Sequence, residues 1–214
     1  MPVALAIGTL IKLFLLLTPF FVLSVFVTTC SEMSPREQKA LAARTTLAVV
    51  AATLVLYLFG NLIFTYLGIT LDAFRIGAGL VLLLNGIDMV RGSGIPKNRD
   101  LGTAVSDPAV VPLAIPTTVG PGTIGTMLVM GAEAGSNVRQ RVFEAVAIAC
   151  AGVLVGVLLY FSRHLKSLLK DKGLSVLTKL TGMYIVALAA QIIFDGVNGM
   201  FASGCLGEIL KSLR

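Results

Sequence analysis

The chain has 214 residues, of which 56% are hydrophobic and only 13% are charged. Soluble domains carry about twice that share of charged residues, so the composition excludes a soluble enzyme or binding module. The formal net charge of +6 does not indicate a nucleic-acid partner, because the basic residues lie singly in short connections and form no stripe.

Uncharged stretches recur along the whole sequence, and they are continuous rather than alternating, which favours membrane-spanning helices over a β-barrel. We predict an all-α integral membrane protein with six helices, near residues 3–29, 45–66, 69–90, 109–131, 143–162 and 174–198. Most lysines and arginines fall in the first, third and fifth connections. By the positive-inside rule this side is cytoplasmic, and both termini lie outside.

The first predicted helix contains a proline in the stretch LLLTPFFVLSVF. Pro19 removes a backbone donor and crowds the preceding turn, so the helix is predicted to break at Thr18 and Pro19. Backbone groups freed at a break are tolerated in a membrane where they face protein or a polar cavity. A substrate site is one interpretation of this break, and a simple kink is the other.

Four polar residues in the third and sixth predicted helices are candidates for ion coupling: Asn85, Asp88, Gln191 and Asp195. Only 12 uncharged residues separate Arg75 from Asp88, which is about 18 Å of helix and less than the hydrocarbon layer. One of these charges must therefore snorkel, form a pair or face a wet interior. For Asp88 and Asp195 the alternative is an interfacial position at a helix end.

A polar connection at 93–108 divides the single membrane domain into two halves of three helices. The first repeat covers 1–92 and the second 109–200, followed by a short tail at 201–214. Because three crossings is an odd number, the second repeat enters the membrane from the opposite side. Such inverted repeats recur in secondary transporters.

The fourth predicted helix is interrupted by three prolines and three glycines in the segment VVPLAIPTTVGPGTIG. We expect two half-helices, the second beginning near Gly122, whose free N–H groups suit the carboxylate of a small substrate. A packing kink is the alternative. The candidate binding residues here are Pro116, Thr117, Thr118, Gly120, Pro121, Gly122 and Thr123.

The sequence lacks a nucleotide-binding loop, a zinc signature and a nucleophile elbow. We therefore expect no enzymatic activity, no cofactor and no metal, and a proton or sodium gradient as the energy source. The three cysteines are widely spaced and match no metal-ligand pattern. The expected partners are the lipid bilayer and a small-molecule substrate.

Three segments in this order, VVPLAIPTTVGPGTIG, GITLDAFRIGAGLVLL and KLTGMYIVALAAQIIFDGV, resemble the MarC family of bacterial inner-membrane proteins. The resemblance covers nearly the entire chain. It implies six helices in two inverted repeats with the first and fourth broken, distant kinship to lysine-exporter-like carriers, and transport of neutral amino acids. It also implies a substrate site at both breaks, on Thr18, Pro19, Pro116, Gly120, Pro121 and Gly122.

The first helix departs from the family pattern of Asn-Pro followed by a glycine and a further proline. This chain has Thr18, Pro19, Phe21 and Ser24 at those places, so one wall of the implied site loses an amide and an open position. The expected function is a secondary transporter for small neutral amino acids or similar zwitterions. The alternatives are an exporter of another small metabolite, and a membrane scaffold or regulator that transports nothing.

Overall fold

The computed structural model describes residues 3–30, 33–92, 118–134 and 137–202. Within these ranges the regular secondary structure is helical throughout, which confirms the predicted all-α class. The helices are α1 (Val3–Leu16), α2 (Pro19–Thr29), α3 (Pro35–Leu67), α4 (Leu71–Arg91), α5 (Pro121–Glu133), α6 (Val138–Tyr160) and α7 (Ser162–Ala202).

Four helices in the described ranges are long and apolar enough to cross a membrane: Pro35–Gly60 within α3, all of α4, all of α6, and Lys172–Ala202 within α7. A fifth candidate span is the pair Ile7–Leu16 and Pro19–Thr29, which is bent by 42°. α5 has 13 residues, about 20 Å of helix, so it is shorter than the hydrocarbon layer. Residues 93–117, which hold the predicted linker and the start of the fourth crossing, lie outside the described ranges.

Two helices begin earlier than the charge pattern predicts. α3 begins at Pro35 rather than near residue 45, because Ser34 and Glu37 form a capping box. The Ser34 hydroxyl accepts the Glu37 N–H at 3.4 Å, and the Glu37 carboxylate accepts the Ser34 N–H at 2.8 Å. α7 begins at Ser162, but the non-helical Lys170, with φ of 53°, separates this first part from the span that starts at Lys172.

Glycines bring the helices into close contact, as is usual in membrane bundles. α4 and α7 pack antiparallel. A Cβ added to Gly79 would lie 2.6 Å from the side chain of Ile193, and a Cβ added to Gly86 would lie 2.8 Å from the side chain of Val186. α5 packs on α3, where Gly131 touches the Tyr57 carbonyl. The outer surface carries large apolar side chains, such as Leu47 at 72% exposure, which fits contact with lipid.

Candidate functional site

The first helix is broken at the residues where the proline predicts it. α1 ends at Leu16, α2 begins with Pro19 in its first turn, and Thr18 between them adopts φ of 50° and ψ of 52°. This left-handed conformation is rare for a β-branched residue. The Thr18 hydroxyl oxygen is buried and has no hydrogen-bond partner among the described residues. Strain and an unpaired polar group therefore coincide at one position, as they often do at functional sites.

α5 begins at the second predicted break. Gly120 is the N-cap residue, Pro121 occupies the first helical position, and the first bond of the helix joins the Ile124 N–H to the Gly120 carbonyl at 2.9 Å. The N–H groups of Gly122 and Thr123 come before that bond, so the helix itself provides no acceptor for them. Both residues are buried. The predicted half-helix start near Gly122 is thus confirmed, whereas Pro116 and Thr117 lie outside the described ranges.

The two breaks meet in space although 107 residues separate them in the chain. The Thr123 hydroxyl donates a long hydrogen bond of 3.5 Å to the carbonyl of Leu16. Leu16 ends α1, where the free carbonyls carry partial negative charge, and Thr123 lies in the first turn of α5, where the free N–H groups carry partial positive charge. Helix ends of opposite polarity therefore face each other in the interior of the bundle.

Described residues pack closely around the start of α5. A Cβ added to Gly122 would lie 2.7 Å from Cδ1 and 2.9 Å from Cα of Leu82 on α4, and Thr118 and Val119 are buried. Two surface grooves, of about 430 and 340 Å³, lie between α3 and α6 and between α4 and α7, and neither includes a break residue. Leu82 of α4 therefore packs directly against the first turn of α5.

The structure does not gather the four polar residues of α4 and α7 around the breaks. Asp88, Gln191 and Asp195 are exposed on the outer surface, and Asn85 is half-buried. Leu82 packs on Gly122, and Asn85 follows Leu82 by about one helical turn on the same face of α4. Of the four residues, Asn85 is therefore the one that lies on the α4 face next to Gly122.

Arg75 pairs with acids, which is one of the three outcomes expected for a charge at this depth. Its guanidinium contacts the carboxylates of Asp72 and Glu133, each at 2.6 Å. Asp72 lies on the same helix, α4, but Glu133 is the last residue of α5. The ion pair therefore ties the C-terminal end of α5 to α4.

A further polar cluster, which the sequence pattern did not single out, joins α3 to α6. The Tyr57 hydroxyl donates to one carboxylate oxygen of Glu144 at 2.9 Å, and the Gln140 amide donates to the other at 2.9 Å. Glu144 lies within the candidate span Val138–Tyr160, about 9 Å from its start. Its position in the apolar stretch VFEAVAIACAGV was the available signal, because a carboxylate inside a membrane span is costly unless it is paired.

The described residues contain no group of three histidine, cysteine or acidic side chains placed to hold a metal ion. Cys30 is buried at the end of α2, and burial raises the pKa of its thiol to about 11, against the opposing effect of Arg163. Cys150 is exposed on α6, and Cys205 lies outside the described ranges. Cys30 is therefore a protonated, apolar side chain at neutral pH.

Comparison with known proteins agrees with a membrane bundle. The model of the family described as MarC family integral membrane protein matches residues 3–201. A UPF0056 membrane protein of Methanocaldococcus jannaschii is 32% identical over 192 residues, 88% of this chain and 93% of the relative. The UPF0056 inner membrane protein YhgN of Escherichia coli is 29% identical over 192 residues, 90% of this chain and 95% of the relative. No solved structure matches. The chain belongs to the MarC family of multi-pass integral membrane proteins.

Proposed function

We propose that the protein is a secondary transporter whose substrate binds between the two helix breaks. The observation that carries this proposal is the contact between the Thr123 hydroxyl and the Leu16 carbonyl, which joins both breaks inside the bundle. The unpaired, buried hydroxyl of Thr18 lies two residues from Leu16. Broken helices that meet near the middle of the membrane are a recurrent form of carrier binding site.

The proposed substrate is a small neutral amino acid or a similar zwitterion. The first turn of α5 offers the N–H groups of Gly122 and Thr123 to a carboxylate, and the last carbonyls of α1, including that of Leu16, suit an ammonium group. The described break residues, 17–20 and 118–123, include no charged side chain. A substrate with both charges and no net charge fits such a site better than an ion of one sign.

The proposed architecture is six helices in two inverted repeats, and the helix packing supports it. In the proposed repeat, α1 and α2 correspond to the crossing that ends in α5, α3 corresponds to α6, and α4 corresponds to α7. The contact of α3 with α5 then corresponds to that of α6 with α1 and α2. The contact of α4 with α5 corresponds to that of α7 with α2. The remaining extensive contacts pair α3 with α6 and α4 with α7, which are corresponding helices of the two halves. Both half-helices at the breaks, α2 and α5, begin with a proline.

We place the protein in a bacterial inner membrane with both termini outside. The relative YhgN is named an inner membrane protein. Basic residues at the start of α3 and the start of α7 lie at one end of the bundle, where Arg163 donates to the Gln38 amide oxygen at 2.7 Å. Under the positive-inside rule this end faces the cytoplasm.

Gradient coupling is assigned in this proposal to a half-buried carboxylate between α3 and α6. Glu144 is held by hydroxyl and amide donors from two helices, whereas Asp88 and Asp195 are exposed on the outer surface. A carboxylate within a membrane span can exchange a proton when its hydrogen-bond partners move. Proton coupling through Glu144 therefore fits the structure better than coupling through the four residues chosen from the sequence.

Uptake by reconstituted protein tests the proposal. We expect proteoliposomes to accumulate radiolabelled glycine, alanine or serine under an imposed proton gradient. Thr123→Val removes the hydroxyl at the break, and we expect it to weaken substrate binding about tenfold or more, the cost of a lost hydrogen bond to a charged group.

Thr53→Val is the matched control, because Thr53 is fully buried but its hydroxyl donates to the Val49 carbonyl of its own helix at 2.7 Å. Equal losses in the two variants, or no gradient-driven uptake of any of the three amino acids, would contradict the proposal. Gly122→Leu is unsuitable as a test, since the added side chain would overlap the backbone of Leu82 and disturb packing.

The close packing at the breaks favours one second candidate, a membrane scaffold or regulator that transports nothing. In that case Gly122 and Leu82 form a permanent contact rather than a gate. A thermal-shift screen separates the two candidates. Stabilisation by an amino acid or another small metabolite supports a carrier or exporter, whereas no response to any ligand together with a stable co-purifying protein supports the scaffold.

A further inference from the structure

An apolar groove of about 430 Å³ runs along the outer surface between α3 and α6. Its α3 side is formed by Ala43, Thr46, Leu47 and Val50, and its α6 side by Val153, Gly156, Val157 and Tyr160. Each set follows the i, i+3, i+4, i+7 spacing of one helix face and spans about 10 Å. The groove therefore lies parallel to two membrane-spanning helices and faces the lipid.

The hydroxyl of Thr46, in the middle of the groove, is bonded within its own helix. Gly156 contacts the side chain of Thr46, which brings the two helices together. The Thr46 hydroxyl donates to the Ala42 carbonyl of its own helix at 2.7 Å. With that hydroxyl engaged, the groove offers a hydrocarbon surface, which suits an acyl chain.

One end of the groove is cationic. The Lys39 ammonium lies 4.8 Å from the centre of the Tyr160 ring, a cation–π contact that holds the charge beside a residue lining the groove. Arg36 precedes Lys39 by three residues, and the series 36, 39, 43, 46 and 50 follows one face of α3. Along this face two exposed cations are followed by apolar lining residues.

We propose that this groove binds one anionic phospholipid, with its phosphate at Lys39 and Arg36 and an acyl chain between α3 and α6. The order of charge and hydrocarbon along the groove matches the order of headgroup and chain in a lipid. Tyr160 and Phe161 are exposed at the same end, and aromatic residues mark the membrane interface. This inference does not depend on the transport function.

A second copy of the chain fits the groove less well than a lipid. An isologous dimer about an axis normal to the membrane keeps each residue at the same membrane depth in both copies. Lys39 and Arg36 of both copies would then lie at one level of the interface, and like charges disfavour such an arrangement. A phosphate group complements the same two cations.

Native mass spectrometry of the detergent-purified chain tests the headgroup site. Phosphatidylglycerol and phosphatidylcholine with identical acyl chains are titrated separately, and we expect preferential retention of phosphatidylglycerol. Lys39→Gln should weaken phosphatidylglycerol binding about fivefold, the effect of one basic residue near an anionic surface, and should leave phosphatidylcholine binding unchanged. Lys166→Gln, which removes an exposed lysine of α7 outside the groove, should leave both unchanged.

A second pair of variants tests the chain site. Ala43→Phe fills the groove from an exposed position, so it should abolish tight phosphatidylglycerol binding without unfolding the protein. Ala51→Phe, at an exposed alanine of α3 outside the groove, should not. The proposal is overturned by equal binding of the two lipids, by an equal effect of Lys166→Gln, by unaltered binding in Ala43→Phe, or by a dimer that Ala43→Phe dissociates without changing lipid binding.

Discussion

Thr18 combines two unfavourable features at a single residue. A non-glycine residue in the left-handed region costs about 1–3 kcal/mol, and an unpaired buried hydroxyl costs about 1–3 kcal/mol. The surrounding core, with Leu16, Leu17 and Val22 almost fully buried, holds the residue in place. A packed core that maintains such a residue at a helix break is consistent with a role in binding rather than in stability.

Replacing Thr18 by glycine should stabilise the protein. Glycine adopts positive φ without steric cost and has no hydroxyl, which outweighs the lost methyl contacts, so we expect the free energy of unfolding to rise by about 1 kcal/mol. Thermal unfolding in detergent measures this change. Thr178→Gly in the regular part of α7 serves as the control, and it should lower stability by a similar amount. A lower melting temperature for both variants would contradict the strain at Thr18.

α5 is the element on which the proposed site depends. Gly131 contacts α3, Gly122 and Gly125 contact α4, and Glu133 at its end pairs with Arg75. These contacts fix a helix of only 13 residues on two sides. In the proposed carrier, movement of α5 would therefore require these contacts to change.

The glycine contacts of α5 predict a position-dependent effect of alanine. A Cβ at Gly131 would overlap the Tyr57 carbonyl, so Gly131→Ala should force α5 from α3 and lower the free energy of unfolding by about 1–3 kcal/mol. Gly77 has no atom within 4 Å of the same position, so Gly77→Ala should be neutral or stabilising, because alanine favours helix. Unfolding of the two variants under identical detergent conditions provides the comparison, and equal melting temperatures would refute the contact.

At the scale of elements, the most accurate predictions came from residue types whose effect on a helix is local. Pro19 marked the break in the first helix, and Gly120 and Pro121 marked the start of α5, because the effect of these residue types on a helix does not depend on distant residues. The start of α3 was missed, since Arg36, Glu37 and Lys39 resemble a loop by charge, whereas Ser34 and Glu37 cap a helix that extends beyond the apolar run. The contact of Leu82 with Gly122 could not be predicted, because no local pattern encodes which distant side chain covers a break.

At the scale of the whole molecule, several of the described polar contacts join the two halves of the chain. Tyr57 with Glu144, Arg75 with Glu133, and Leu16 with Thr123 each link the first half of the chain to the second. In the proposed inverted repeat these links must rearrange when the halves change their relative position. In the proposed carrier, loss of the hydrogen bond between Tyr57 and Glu144 would release one of these links and favour the rearranged state.

Glu144→Gln should retain substrate exchange across the membrane but lose substrate accumulation driven by a pH gradient. The amide preserves the shape of the side chain but does not titrate, so substrate counterflow should continue while accumulation driven by a pH gradient should fall at least about tenfold. Both rates are measured in the same proteoliposomes. Asp195→Asn, a similar change at an exposed carboxylate of α7 that the proposal leaves out of coupling, is the control and should retain accumulation. Full gradient-driven accumulation by Glu144→Gln would exclude this carboxylate as the coupling group.

The contact between Gly122 and Leu82 has a consequence for energy conservation. A protein that crosses an energised membrane must not let ions leak along its axis when no substrate is bound. In the proposed carrier, Leu82 on the first turn of α5 places hydrocarbon rather than water against the break, and moving an ion through hydrocarbon is costly. The same leucine would therefore oppose ion leak when no substrate is bound.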